Sequence, residues 1–244
     1  MNPDILVFTY TYDRYEVLKQ SLESMFRNPG MEFRLWVLDN GSAFYNGFGE
    51  GSGLKQLDLL IDYYKQKKIE RLIINDKNYG IHYPINEILA LAKLTSQEPK
   101  IGYPDFMMLT NDDMIYEDGW ASECYQTYMD LEVPEKVGLV SPFHCKNSAG
   151  NIAHGMQTEA TVEYNGRRYE IKNNVSGNTW FARADTWLRI FDWYPTNSPT
   201  EGGDWSKLSK LNVAGKKCAI TPREMAHHHP EAEGRGRFNR LGHW

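Results

Sequence analysis

The chain has 244 residues, of which 41% are hydrophobic, and a formal net charge of −5. This is enough apolar material to bury a full core, which excludes wholesale disorder, and the length suits one large domain or one domain with an appended subdomain. The acidic balance argues against a surface given over to nucleic acid.

The first half alternates strand and helix. ILVFTY (5–10) is a continuous apolar, β-prone run, expected of a strand buried on both faces. RYEVLKQSLESMF follows, with Leu18, Leu22, Met25 and Phe26 on one helical stripe. FRLWVLDNGS reads as a second strand ending in turn chemistry. After a Gly-rich loop at 45–53, LKQLDLLIDYYKQKK sets Leu54, Leu57, Ile61 and Tyr64 on one face. ERLIIND is a third strand. In YPINEILALAKL, Pro84 falls near the first helical turn, where its missing N–H is harmless. PDFMMLT is the fourth strand. This order predicts a right-handed parallel α/β sheet, whose ligands bind at the carboxyl ends of the strands. TYTYDR, DNGS and TNDD all fall at those ends.

The second half is mixed. VGLVSPF reads as a fifth strand, and ATVEYNGRRYEIKN as a hairpin turning at Asn165-Gly166. NTWFARADTWLRIF gives a short strand and a short helix. DWSKLSKLNVAG is a helix stopping at Gly215, and KKCAITP is a last strand. The remainder, HHHPEAEGRGRFNRLGHW, lacks periodicity and reads as a tail or lid. Cys124, Cys145 and Cys218 are far apart and fit no metal spacing, so reduced thiols and a cytoplasmic location are expected. MNPDILVFTY has no basic segment ahead of its apolar run, unlike a signal peptide. No apolar stretch approaches the roughly 20 residues that span a bilayer.

Asp112 and Asp113 end the fourth strand side by side. Such a pair is costly unless it meets water or a cation, and oxygen ligands at a strand end suit Mg²⁺ or Mn²⁺. Asp39, in Asp39-Asn40-Gly41-Ser42, is either part of a turn or an acceptor for a pyrimidine ring N–H. Tyr12 offers a stacking face and Arg14 a phosphate partner; core packing and a surface ion pair are the alternatives. The histidines 227–229 are either solvated or a source of a metal ligand. Glu201 and Asp204 precede a helix, as N-terminal cap or general base.

In this order the motifs resemble the inverting glycosyltransferases of family 2, which have the nucleotide-sugar-binding GT-A fold. VFTYTYDRYEVLKQSLESM is similar to the opening strand and helix of that family, WVLDNGS to its nucleobase-binding segment, and NDKNYGIHYPINEIL to a segment that includes Gly80. FMMLTNDDM looks like the strand carrying the DxD motif. SGNTWFARADTW resembles the acceptor-side motif, and EGGDWSKLSKLNVAGKKCAITPREMAHHH the end of the domain. The resemblance implies an α/β fold: a mostly parallel nucleotide-binding sheet flanked by helices, with a smaller mixed acceptor-side sheet. It implies a single domain over residues 1–230, with a nucleotide-binding half at about 1–115, an acceptor half at about 116–230, and a flexible tail or lid at 231–244.

It further implies metal-dependent transfer of a sugar from a nucleoside diphosphate sugar, UDP-linked by expectation, to a hydroxyl with inversion. Asp39 would hold the uracil and Tyr12 cover it, while Thr11 and Asn111 line base and ribose; Arg14, Gly80 and Asp112 complete the nucleotide site. Asp113 and either His227 or His228 would bind Mn²⁺ or Mg²⁺. Asp204 or Glu201 would be the base, Asn178 and Trp180 would face the acceptor, and Arg235 and Arg237 would close on the diphosphate. The sequence departs from the family pattern in three places. Asn111 stands at the first DxD position, Gly202 replaces a common acid, and the usual helix Arg is absent.

Two other readings compete. A nucleotidyltransferase would show a Gly-rich basic loop after the first strand, and TYTYDRYEV has no glycine. An inactive nucleotide- or glycan-binding module is disfavoured by Asp113 and Asp204. The acceptor is open: a glycan, a small molecule or, given the basic clusters GRGRFNR and NGRRYEIK, a modified DNA base.

Overall fold

A computed structural model describes residues 2–44, 51–95, 104–144, 157–191 and 203–230, with the side chains of 203–205 excepted. The first half runs β1 (Ile5–Thr11), α1 (Tyr15–Arg27), β2 (Arg34–Asp39), α2 (Gly53–Lys65), β3 (Arg71–Ile74), α3 (His82–Thr95) and β4 (Phe106–Asn111). These are the alternating elements that the apolar runs predict. The second half runs β5 (Met114–Tyr116), α4 (Trp120–Leu131), β6 (Val137–Ser141), β7 (Thr158–Tyr164), β8 (Arg167–Lys172) and β9 (Thr179–Arg183). A π-helical turn (Thr186–Phe191), α5 (Gly203–Val213), β10 (Lys217–Ile220) and β11 (Ala226–His228) complete it.

Among the described residues one sheet takes the order β3-β2-β1-β4-β9-β6-β10-β8-β7, and β5 pairs separately with β11. The neighbours β3, β2, β1 and β4 are all parallel. Next to them β9 runs antiparallel to both β4 and β6. The strands of the second half, expected to form a separate smaller sheet, therefore continue the same sheet among the described residues.

Side chains of β1 and β4 alternate between two cores because both faces of the sheet are covered. Ile5, Val7, Phe106 and Met108 pack with α1, α2 and α4 through Leu18, Leu60 and Trp120. Leu6, Phe8, Met107 and Leu109 pack on the other face with Ile85, Ile88 and Leu89 of α3. This double burial explains why those runs are apolar without a break.

Three elements have no counterpart among the predicted ones. Strands β5 and β11 have three residues each, too few for a hydrophobic period. Helix α4 does carry a stripe, burying Trp120, Ala121, Cys124, Thr127, Tyr128 and Leu131, but the stripe is half polar or aromatic. The start of HHHPEAEG belongs to β11, so the expected tail begins later than His228; residues 231–244 lie outside the described residues. The hairpin does turn at Asn165 and Gly166, with φ of 51° and 72°. Gly215, at φ +70°, closes α5 by donating its N–H to the Asn212 carbonyl. No helix among the described residues is long and apolar enough to cross a membrane. Cys124 and Cys218 are buried free thiols, and burial pushes the Cys218 thiol up to about 12.

Gly41 and Gly166 both have positive φ, yet their surroundings differ. A Cβ on Gly41 would lie 2.4 Å from the backbone of Lys77, whereas one on Gly166 meets nothing within 4 Å. Gly166→Ala should therefore cost only the backbone term, about 1 kcal/mol. Gly41→Ala should cost clearly more, because the turn after β3 must move as well. Urea denaturation of both variants checks this; equal losses would mean that the Lys77 backbone yields freely.

Candidate functional site

The parallel strands bring three sequence-predicted residues to one edge. Thr11, the last residue of β1, pairs in register with Asp39, the last of β2, and Tyr10 pairs with Asn111, the last of β4. The strand order reverses between β1 and β4, the place where parallel sheets open a ligand crevice. Thr11 Oγ1 donates across that crevice to Asp112 Oδ2 at 2.8 Å.

Arg14 is the cation of the acidic pair. It leaves the turn between β1 and α1, and its Nη1 lies 3.2 Å from Asp113 Oδ2 and 3.6 Å from Asp112 Oδ1. The Asp113 side chain is 1% exposed and that of Arg14 is 38% exposed. The Arg14 backbone N–H donates to Gln56 Oε1 at 2.6 Å, which fixes the point from which the side chain departs. Asp13, at φ +46°, is buried and accepts the N–H groups of Gly51 and Ser52, joining this turn to the start of α2. Tyr12 between them is half-buried.

Asp39 is completely buried. Its Oδ1 accepts the N–H groups of Gly41 and Ser42, and its Oδ2 accepts Nε2 of Gln56 at 2.9 Å. The uracil contact expected of Asp39 thus meets a carboxylate that already orders a turn, with no surface open to a ligand. The neighbouring Asn40 is also buried. It donates to Asn78 Oδ1 and to the Gly80 carbonyl, and it accepts Asn75 Nδ2 and the Tyr79 N–H. This net fixes the turn after β3, where the Tyr79 ring stacks on Tyr83 with centroids 4.6 Å apart.

Asn111 is tied to the segment just before β9. Its N–H and Nδ2 donate to the carbonyl and Oδ1 of Asn178 at 2.9 and 2.8 Å. Trp180 does not face an acceptor. It is 0% exposed, packs against Phe191 and Trp187, and donates its indole N–H to the Ser176 carbonyl. The correction has a simple cause: Trp180 lies on β9 between covered faces, and an aromatic residue reads the same in sequence whether it is core or platform.

The β5–β11 pair returns the chain to the acids. His227 is paired with Ile115, and its Nδ1 lies 3.6 Å from Glu117 Oε1. His228 is paired with Met114 and stacks on Phe143. One step further, His229 donates its N–H to the Asp113 carbonyl at 2.8 Å. The register therefore sets His229, buried to 4% exposure, opposite Asp113. Beneath the pair, Tyr116 shares a short hydrogen bond with Thr110, and burial pushes its phenol up, so it stays protonated.

Residue 204 lies in the first turn of α5, with its side chain outside the described residues; Glu201, Arg235 and Arg237 also fall outside them. Among the described residues, no group of three His, Cys, Asp or Glu is placed to hold a metal ion. The acidic pair does aim two carboxylate oxygens at one cationic atom. Mg²⁺ and Mn²⁺ take one or two protein carboxylates and complete their shells with water and phosphate oxygens, so this donor chemistry fits them.

The sequence matches no protein-family model and no curated protein. Solved structures do match. The S. aureus TarS 1–349 structure aligns with TM-score 0.63 at 12% identity, over 93% of this chain and 60% of that one. GalNAc-T7, solved with UDP, GalNAc and Mn²⁺, aligns with TM-score 0.64 at 10% identity, over 93% of this chain and 43% of that one. The mannosyltransferase PcManGT from Pyrobaculum calidifontis, solved with GDP-Man and Mn²⁺, aligns with TM-score 0.58 at 13% identity, over 92% and 56%. The chain thus has the GT-A fold of these glycosyltransferases and spans less than two thirds of their lengths.

Sequence reading missed Gln56. The expected inward face of α2, Leu54, Leu57, Ile61 and Tyr64, is not the buried one: Leu54 and Tyr64 are exposed, and the helix turns in Gly53, Gln56 and Leu60, where the completely buried Gln56 joins Arg14, Asp39 and Ser42. Removing it strands buried polar groups, each worth about 1–3 kcal/mol when unsatisfied. Gln56→Ala should therefore lose at least one such increment in chemical denaturation. Leu54→Ala, at a residue 70% exposed, should stay within about 0.5 kcal/mol of the parent. Equal stability of the two variants would remove Gln56 from its place as the tie of this edge.

Proposed function

We propose that the chain is a metal-dependent glycosyltransferase that moves a sugar from a UDP-sugar to an acceptor hydroxyl with inversion. The observation that carries the reading is the convergence of Asp112 and Asp113 on one cation position, at the switch point of a GT-A sheet. The domain is taken as residues 1–230, donor half first and acceptor half second, with 231–244 as tail or lid.

In this reading Thr11, Tyr12, Gly80 and Asn111 line the nucleoside. Asp39 accepts the uracil ring N–H with the lone pairs left over from Gly41, Ser42 and Gln56, which requires the turn around it to open. Asp113, with Asp112 beside it, holds Mn²⁺ or Mg²⁺ against the diphosphate. His229, opposite Asp113, is the better-placed histidine ligand than His227 or His228. When bound, the metal neutralises charge on the departing diphosphate. Arg235 and Arg237 are the candidate lid contacts, and Asn178 borders the acceptor side.

Asp204 is the proposed base. Its place in the first turn of α5 puts it near the positive end of that helix, which favours the ionised form needed to take a proton. Glu201 is the alternative. Support for the donor class comes from likeness of fold to proteins solved with UDP-GlcNAc, with GDP-Man and with UDP. A panel of nucleotide sugars, read by released diphosphate, tests the class.

Asp204→Asn separates base from structural role, because Asn keeps the shape of Asp in the first turn of α5 but takes no proton. We expect near-parent melting and UDP binding, with transfer lowered about a hundredfold to ten-thousandfold. If Asp204→Asn keeps its turnover while Glu201→Gln loses it, the base is Glu201; if both keep it, this loop does not carry the base.

A further inference from the structure

We propose that Arg14 is the resident counter-ion of the Asp112–Asp113 pair and competes with the divalent metal for it. The acids then pass to the metal when a diphosphate draws the guanidinium away. The inference rests on the proposed metal site at Asp113.

The geometry sets the two cations in competition for the same oxygens. Nη1 of Arg14 stands 3.2 Å from Asp113 Oδ2 and 3.6 Å from Asp112 Oδ1. A hard divalent ion bound by these oxygens would sit about 2.0–2.6 Å from them, crowding Nη1. Two like-signed cations also repel there, and nearly buried carboxylates leave little water to screen them. The acids cannot simply go without a cation. Asp113 is 1% exposed, and a buried carboxylate stripped of its partner is costly.

The Arg14 side chain reaches solvent. Its backbone is held by Gln56, but its side chain is 38% exposed and rises from a residue outside the helix, at φ −137° and ψ 55°. The long side chain can turn about this fixed root. A guanidinium binds phosphate oxygens as readily as carboxylates. An incoming diphosphate would thus offer Arg14 a second anion while delivering phosphate oxygens to complete the metal's shell.

The test measures Mn²⁺ binding by the electron paramagnetic resonance signal of free Mn²⁺, with no turnover involved. Four proteins are compared, parent, Arg14→Gln, Arg14→Lys and Asp113→Asn, each with and without UDP. A neighbouring cation shifts a carboxylate's affinity for a positive partner by one to three decades. Without UDP, Arg14→Gln should therefore bind Mn²⁺ about tenfold or more tightly than the parent, whereas Arg14→Lys, which keeps the charge, stays near it. With UDP the gap should close. Added Mn²⁺ should also raise the melting temperature of Arg14→Gln more than that of the parent, which confirms that the variant is folded. If Arg14→Gln binds Mn²⁺ no tighter while Asp113→Asn abolishes binding, the metal site stands and the competition is overturned. A gap that persists with UDP overturns the hand-over. If Asp113→Asn binds Mn²⁺ like the parent, the metal site itself is wrong and the inference falls with it.

Discussion

A carboxylate that is almost completely buried at the end of a strand must be given a cation, and much of this edge of the molecule is arranged around that need. Asp113 receives Arg14. Arg14 is held by Gln56, Gln56 holds Asp39, and Asp39 orders Gly41 and Ser42. A run of polar contacts thus links the ends of β4, β1 and β2 through one residue of α2. The linkage follows from packing: strands covered on both faces bring their ends together at a largely buried edge, where polar groups are satisfied by one another.

The topology decides which groups meet there. The parallel strands end Thr11 beside Asp39 in register, with Asn111 one step away opposite Tyr10. The antiparallel β9 then carries Asn178 alongside Asn111, and β11 returns to lay His229 against Asp113. The first-half and second-half segments therefore touch at two points, both within two residues of the acidic pair. On the proposed reading, this is where a sugar would pass from one half to the other.

Legibility in the sequence followed physical rules. The runs ILVF and FMML could be read because double burial admits no polar residue, and Asn165-Gly166 because both positions need positive φ. The acidic pair could be read as a conflict of charge, although its cation could not, since a phosphate-binding Arg14 and an ion-paired Arg14 look the same. The histidine could not be chosen from sequence. Side chains alternate along a strand, so a one-residue change of register exchanges the faces of His228 and His229, and that register depends on β5, three residues long. Trp180 failed for a different reason: core and platform make equal use of an indole. Gln56 gave no signal because a buried glutamine on a helix otherwise rich in charge resembles its solvated neighbours.

Charge accounting connects these features to the proposed chemistry. Asp112, Asp113 and Arg14 together carry one formal negative charge. A divalent metal entering alone would reverse that sign, and a diphosphate entering alone would deepen it. Each is opposed, because a nearly buried site screens poorly. A metal and the diphosphate of a nucleotide sugar carry opposite charges of equal size, so entering together they would leave the balance where it began. Arg14 then has an anion to move to, and the carboxylates have a cation to replace it. A site that satisfies its acids internally would in this way favour the complete donor over either of its parts.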